Sequence, residues 1–145
     1  MLVVENKCLK MGINKLKHTV TAIILNDCDQ VLAVSRKDDH NDFGLPGGKV
    51  DSDESLEDAI RREVKEETGL DIDTSTMIEF LSMPRHMNGK SYWGHSFLIK
   101  DWDGIITTNE PHVIKWTTFE ELEKGCFGSW NKIAKECLIA LGIEV

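Results

Sequence analysis

One helical pattern, set between two β-rich stretches, most constrains what this chain can become. From Leu45 to Leu70 the sequence runs LPGGKVDSDESLEDAIRREVKEETGL. A Pro-Gly-Gly break opens it, Ser52 or Asp53 is placed to cap the helix, and Gly69 suits the left-handed position that ends one. Upstream, His18–Asn26 and Val31–Lys37 are rich in β-branched residues around the turn cluster NDCDQ, which predicts a hairpin followed by a loop, DDHNDFGLPGGKV. Downstream, Thr76–Met83 and Ser91–Lys100 read as strands joined through Asn88-Gly89, a strong hairpin turn. His112–Trp116 reads as another strand. A short helix capped by Thr117 or Thr118 and a terminal helix capped by Ser129 complete the pattern. This order predicts an α/β fold, with a mixed sheet between helices, in a single domain over residues 1–145.

The central helix carries its charge in an unusual place. Between Asp51 and Asp73 stand ten acidic residues against three basic ones, a local charge of −7 in a chain whose total is −8. On a wheel of about 100° per residue, Leu56, Ala59, Ile60 and Val64 form the stripe expected to be buried. Glu63 and Glu67 fall in line with that stripe, Glu66 borders it, and Arg61 and Lys65 lie opposite. A solvated acidic face would sit on the far side instead. The wheel therefore puts carboxylates in a cleft, where they repel one another and bind protons unless a cation neutralises them. Oxygen ligands select a hard ion, Mg²⁺ or Mn²⁺ with Ca²⁺ the other choice, and Mg²⁺ so held takes phosphate oxygens as further ligands.

The remaining composition excludes other classes. Outside Asp51–Asp73 the chain is nearly neutral, with 15 acidic and 14 basic residues, so no basic surface is available to grip a nucleic-acid polymer. No apolar run is long enough to span a bilayer and no signal-peptide order is present, so a cytoplasmic protein without membrane attachment is expected. Cys8, Cys28, Cys126 and Cys137 form no CxxC pair and the five histidines no HExxH, so disulfides and a thiolate or histidine metal site are not expected.

Gly48, Glu54 and the run Arg62-Glu63-Val64-Lys65-Glu66-Glu67-Thr68-Gly69-Leu70 resemble a complete Nudix box, G-x5-E-x7-R-E-U-x-E-E-x-G-U, at all nine specified positions. The resemblance implies an α/β/α sandwich and hydrolysis of a nucleoside diphosphate linked to another group. It implies metal ligation by Glu63, Glu66, Glu67 and the Gly47 carbonyl, and a Glu54–Arg62 salt bridge that orients the helix. Glu110, just before a strand, occupies the place of a further ligand or base, which leaves Glu66, Glu67 and Glu110 as candidates for proton transfer. Chemistry of this kind is metal-assisted displacement at phosphorus, with Mg²⁺ as cofactor and Mn²⁺ as its substitute.

Substrate contacts are less specified. Arg36 and Lys37 end a strand beside the expected cleft and suit phosphate oxygens. Phe43 and Trp93, with Tyr92 and Trp130, are candidate stacking faces for a base, and Asn131 or Asn41 a candidate amide edge. The expected activity is cleavage of a nucleoside triphosphate, oxidised or not, to monophosphate and pyrophosphate, by a monomer or homodimer in MutT-like fashion. Hydrolysis of ADP-ribose or a dinucleoside polyphosphate, and a non-catalytic nucleotide sensor, are the alternatives.

Overall fold

The computed structural model describes residues 2–3, 16–108 and 110–145. In chain order the first elements are β1 (Leu2–Val3), β2 (Lys17–Ile24), β3 (Val31–Ser35), β4 (Phe43–Gly44) and β5 (Gly47–Lys49). Helix α1 (Leu56–Thr68) follows, then β6 (Asp71–Ile72), β7 (Ile78–Met87), β8 (Lys90–Ile99) and β9 (Trp102–Asp103). The chain closes with β10 (Ile114–Thr117), α2 (Phe119–Leu122) and α3 (Gly128–Ala140).

A mixed five-stranded sheet, ordered β1-β7-β8-β2-β5, forms the centre. β2 runs parallel to β8 over its whole length, while β7–β8 and β2–β5 are antiparallel. Asn88 and Gly89 turn the β7–β8 hairpin at φ 50° and 75°, the conformation their residue types favour. Because side chains alternate along a strand, β2 and β8 have two apolar faces. Val20, Ala22, Ile24, Phe97 and Ile99 pack on Ala59, Ile60 and Val64 of α1. Ile23 and Leu98, with Phe80, pack on Trp130, Ala134 and Leu138 of α3. The result is an α/β/α sandwich, with the stripe of α1 buried as its wheel predicts. Burying each such Ile or Val stabilises the fold by roughly 1.5–3 kcal/mol.

Several local expectations need correction. β2 and β3 do not form a hairpin ladder: one bridge, Leu25–Val31, closes their turn. They then diverge, β2 to the central sheet and β3 to a three-stranded sheet between β10 and β4. β-Branched runs specify a strand but not its partner. The stretch expected as a loop contains β4 and β5, whose glycines carry no strand propensity and gain their ladders from β3 and β2. Ser55 caps α1, not Ser52 or Asp53, accepting from the Asp58 amide at 3.1 Å. Of the two threonines, Thr118 caps α2. Phe127, without a side-chain cap bond, precedes α3, so Ser129 lies inside the helix. Gly69 ends α1 at φ 80°, as expected. Cys28, Cys126 and Cys137 are free thiols; Cys8 lies outside the described residues.

Candidate active site

The last two turns of α1 present Glu63, Glu66 and Glu67 along one side of a cleft of about 400 Å³. Arg36 and Lys37, after β3, together with Gly47 of β5 and Glu110 and His112 before β10, line the rest. Residues more than 40 positions apart thus meet around one cavity. Gly47 donates its amide to Glu67 Oε1 at 3.2 Å, tying the β5 edge to the helix. Burial, followed by the neighbouring Glu63 carboxylate, pushes Glu67 up to about 9. Burial also raises Glu63, opposed by its hydrogen bond with Glu67 and then by Arg62.

Arg62 organises the helix start. Its guanidinium forks onto Glu54, Nε to Oε2 at 2.7 Å and Nη2 to Oε1 at 2.8 Å, and Nη1 reaches Glu63 Oε1 at 2.9 Å and Glu66 Oε2 at 3.5 Å. Nη2 also donates to the Lys49 carbonyl at 3.2 Å. One side chain therefore joins the loop before α1, the edge of β5 and two carboxylates. The fork holds Glu54 at about 2, well below its ordinary 4.5. A depressed carboxylate stabilises the fold above its unfolded pKa, and that contribution is lost as pH falls through 4.5 toward 2. Glu54→Gln should therefore lose less stability than the wild type on acidification across this window, by about 1–3 kcal/mol, in acid unfolding curves. Parallel curves would remove the pair as a source of acid lability. In turnover, Glu54→Gln and Arg62→Ala should each be slow and the double variant little slower. Simple additivity of the two losses would argue against joint action.

The loop before β10 is fastened to α1 at three points. Thr107 donates its amide to the Thr68 carbonyl at 2.8 Å, and Thr108 Oγ1 donates to the Glu66 carbonyl at 3.0 Å. His112, buried, donates from Nε2 to the Glu67 carbonyl at 2.7 Å, with Nδ1 3.4 Å from Glu110 Oε2. Lys37 Nζ stands 3.4 Å from the same Glu110 oxygen. Sequence reading missed His112; the signal was its place two residues after Glu110.

The proposed substrate contacts divide. Lys37 faces the cleft, and Arg36 lines it with its fork on Asp38, Nε to Oδ1 at 3.0 Å and Nη2 to Oδ2 at 3.3 Å. Phe43 is turned away from the carboxylates: Lys115 Nζ lies 4.0 Å over its ring, and it lines a neighbouring depression with Asn41 and Cys126. Trp93, 3% exposed, donates its indole N–H to Ser82 Oγ at 2.8 Å on the α1 side of the sheet. It belongs to the sheet packing and is withdrawn as a stacking platform, since strand alternation sends it away from α3. Asn131, also buried, donates to the Leu122 carbonyl at 3.4 Å and borders a second cavity next to Gly47.

No three acidic, histidine or cysteine side chains among the described residues converge as they stand on a point that would hold an ion. Glu63 and Glu66 lean on Arg62 instead. The donor set still fits a hard cation in its chemistry: oxygen ligands alone, crowded, and driven by burial toward protonation.

Residues 15–135 match the NUDIX domain. The chain belongs to the Nudix family. It is 32% identical over 111 residues to a protein of Escherichia coli (strain K12) named CTP pyrophosphohydrolase, covering 74% of this chain and 79% of that one. It is 33% identical over 87 residues to a Buchnera aphidicola protein named 8-oxo-dGTP diphosphatase, covering 60% of this chain and 64% of the relative. The MutT NUDIX hydrolase of Burkholderia pseudomallei superposes with a TM-score of 0.71 at 26% identity, over 84% of this chain and 97% of that one. Nudix membership makes this protein a pyrophosphohydrolase, and Nudix hydrolases generally use a divalent metal. No described helix is long and apolar enough to cross a membrane.

Proposed function

We propose that this Nudix protein cleaves a nucleoside triphosphate to monophosphate and pyrophosphate, with Mg²⁺ as cofactor and Mn²⁺ as substitute. The observation that carries this reading is the carboxylate cleft lying beside a second cavity, of about 170 Å³, with Leu45, Gly47 and Phe127 lining both. Together they offer an acidic end for phosphates and a more apolar end for a nucleoside. The printed names of the E. coli and Buchnera relatives support the triphosphate class.

Glu63, Glu66, Glu67 and Glu110, with the Gly47 carbonyl, would hold the metal. When bound it supplies charge neutralisation on the phosphates and a more acidic water. Lys37 and Arg36 offer cations to phosphate oxygens once they exchange Glu110 and Asp38 for substrate. Arg62 orients Glu63 and Glu66. Glu110 or Glu67 takes the proton from the attacking water, and the fastened loop keeps Glu110 beside the helix. The protein acts on small nucleotides in the cytoplasm as a monomer or homodimer.

A panel of nucleoside triphosphates with products resolved tests the reading: monophosphate and pyrophosphate are expected. A Methanocaldococcus jannaschii relative named ADP-ribose pyrophosphatase, 35% identical over 71 residues, supports a second reading. AMP and ribose 5-phosphate released from ADP-ribose, with triphosphates left intact, would favour it. Excess EDTA should abolish activity and added Mg²⁺ or Mn²⁺ restore it; undiminished hydrolysis in chelator would end the metal reading. Mg²⁺ at a hundred times its Kd should also stabilise the fold by about 2.7 kcal/mol, since the unfolded chain has no such site.

A further inference from the structure

Glu110 reaches the cleft from a loop, and its side chain is 28% exposed. Its Oε2 lies 3.4 Å from Lys37 Nζ and 3.4 Å from His112 Nδ1. The two partners differ in kind. Lys37 is 59% exposed, so water weakens its attraction, and the phosphates compete for it. His112 is 2% exposed, and its ring is pinned by the 2.7 Å bond from Nε2 to the Glu67 carbonyl. A carbonyl oxygen only accepts, so Nε2 carries a hydrogen and Nδ1 is the nitrogen left for Glu110.

The loop does not need this ring to stay closed. Thr107 and Thr108 already bond to α1, and Thr108 Oγ1 accepts from the Glu110 amide at 3.0 Å. Beyond the ring, Ser35 donates its amide to the Val113 carbonyl at 2.8 Å, and Val113 donates its amide to Ser35 Oγ at 2.8 Å. Pro111 fixes φ between Glu110 and His112. Backbone on either side of His112 is therefore held without its side chain. What the ring adds is a rigid spacer between the Glu67 backbone and the Glu110 carboxylate. We propose that His112 is a positioning residue of the reaction: Nδ1 aims Glu110 into the cleft, and the Nε2 bond keeps that aim when Lys37 turns to the phosphates. This inference rests on the hydrolysis proposed above and adds the residue that keeps Glu110 in register with Glu67.

Two substitutions separate the nitrogens. His112→Asn places an amide where Nδ1 stands, keeping a donor for Glu110 and giving up the Glu67 carbonyl. His112→Gln places it where Nε2 stands, keeping the carbonyl bond and giving up Glu110. His112→Gln should lower kcat by about tenfold to a hundredfold, the range for groups that orient a ligand, with KM within about twofold. His112→Asn should turn over about tenfold faster than His112→Gln. Added to Glu110→Gln, the His112→Gln change should cost little more, because the two residues act as one unit. Glu110→Asp leaves the ring untouched and draws the carboxylate back from Nδ1 by one methylene. It should be slow in the same way, and it keeps the test open if a His112 variant fails to fold. Equilibrium titration of the substrate-free protein with Mn²⁺ gives a readout apart from turnover. There His112→Gln should bind about tenfold more weakly than the wild type, with His112→Asn between them. Ordinary kcat in His112→Gln or Glu110→Asp overturns the inference, as does wild-type Mn²⁺ binding in His112→Gln. So do Asn and Gln variants that are equally slow, with kcat falling in step with melting temperature, since that pattern belongs to packing. A wild type that leaves triphosphates intact overturns the proposed function, and the Mn²⁺ titration then decides this inference by itself.

Discussion

Glu67→Gln should lose turnover by about a hundredfold to ten-thousandfold, the range for removal of a proton acceptor, and should need far more Mg²⁺ for half-saturation. Two observations set this expectation. Glu67 is half-buried in the carboxylate cleft, and it is fixed by the Gly47 amide at 3.2 Å and by a backbone clamp from His112. The same substitution should change stability with pH in the metal-free protein. Burial and Glu63 raise Glu67 from 4.5 to about 9, so between these values the folded chain binds a proton that the unfolded chain does not. Stability then falls as pH rises through the window, by up to about 1.4 kcal/mol per pH unit, and is insensitive to this group below 4.5. Gln removes that slope. Melting temperatures in chelator from pH 5 to about 9, with kcat and half-saturating Mg²⁺, provide the check. Ordinary turnover in Glu67→Gln would take the residue out of the mechanism, and an unchanged pH slope would show that Glu67 is ionised in the folded protein. Glu110→Gln should lower kcat with substrate affinity largely kept; a normal rate there would leave proton transfer to the helix.

Gly47→Ala should cost the fold as well as the site. A Cβ at residue 47 would stand 2.1 Å from the Val20 carbonyl oxygen and 2.9 Å from the Thr21 Cα, both backbone atoms of β2. Neither can turn aside as a flexible side chain would. β5 must peel from the Thr21–Gly47 register, which also moves the amide that holds Glu67. Overpacking of this kind costs roughly 1–3 kcal/mol, and more where backbone must shift. A fall in melting temperature of about 5–10 °C is expected, with turnover lost in proportion to the misplaced helix. Gly48→Ala is the control. Its Cβ meets the end of the Glu63 side chain, 2.5 Å from Oε1, which can rotate away. That variant should melt near the wild type while binding Mg²⁺ more weakly. If Gly47→Ala melts no lower than Gly48→Ala, the close approach of β5 to β2 is not what holds this edge.

The corrections share a cause. Trp93 and Phe43 have the residue type of a stacking platform, but the side of the sheet each faces depends on which helix covers which face. His112 looked ordinary in sequence. It matters because the loop before β10 lies on the end of α1. The hairpin expected of β2 and β3 failed for a similar reason: alternation and β-branching are properties of one strand, and its ladder belongs to two.

The sequence alone determined the parts whose causes lie within a few residues: the α1 stripe with Glu63, Glu66 and Glu67 beside it, the Gly69 stop and the Asn88-Gly89 turn. Helical period, left-handed backbone preference and charge spacing are short-range, and they survive any arrangement of the rest. Only the tertiary structure decided that β2 would lie along β8, that Glu110 and Lys37 would meet across the cleft, and that Arg85 would stand half-buried against Trp130 and Phe127. Those outcomes follow from desolvation and packing between segments distant in the chain, where the energy of a contact depends on everything that covers it.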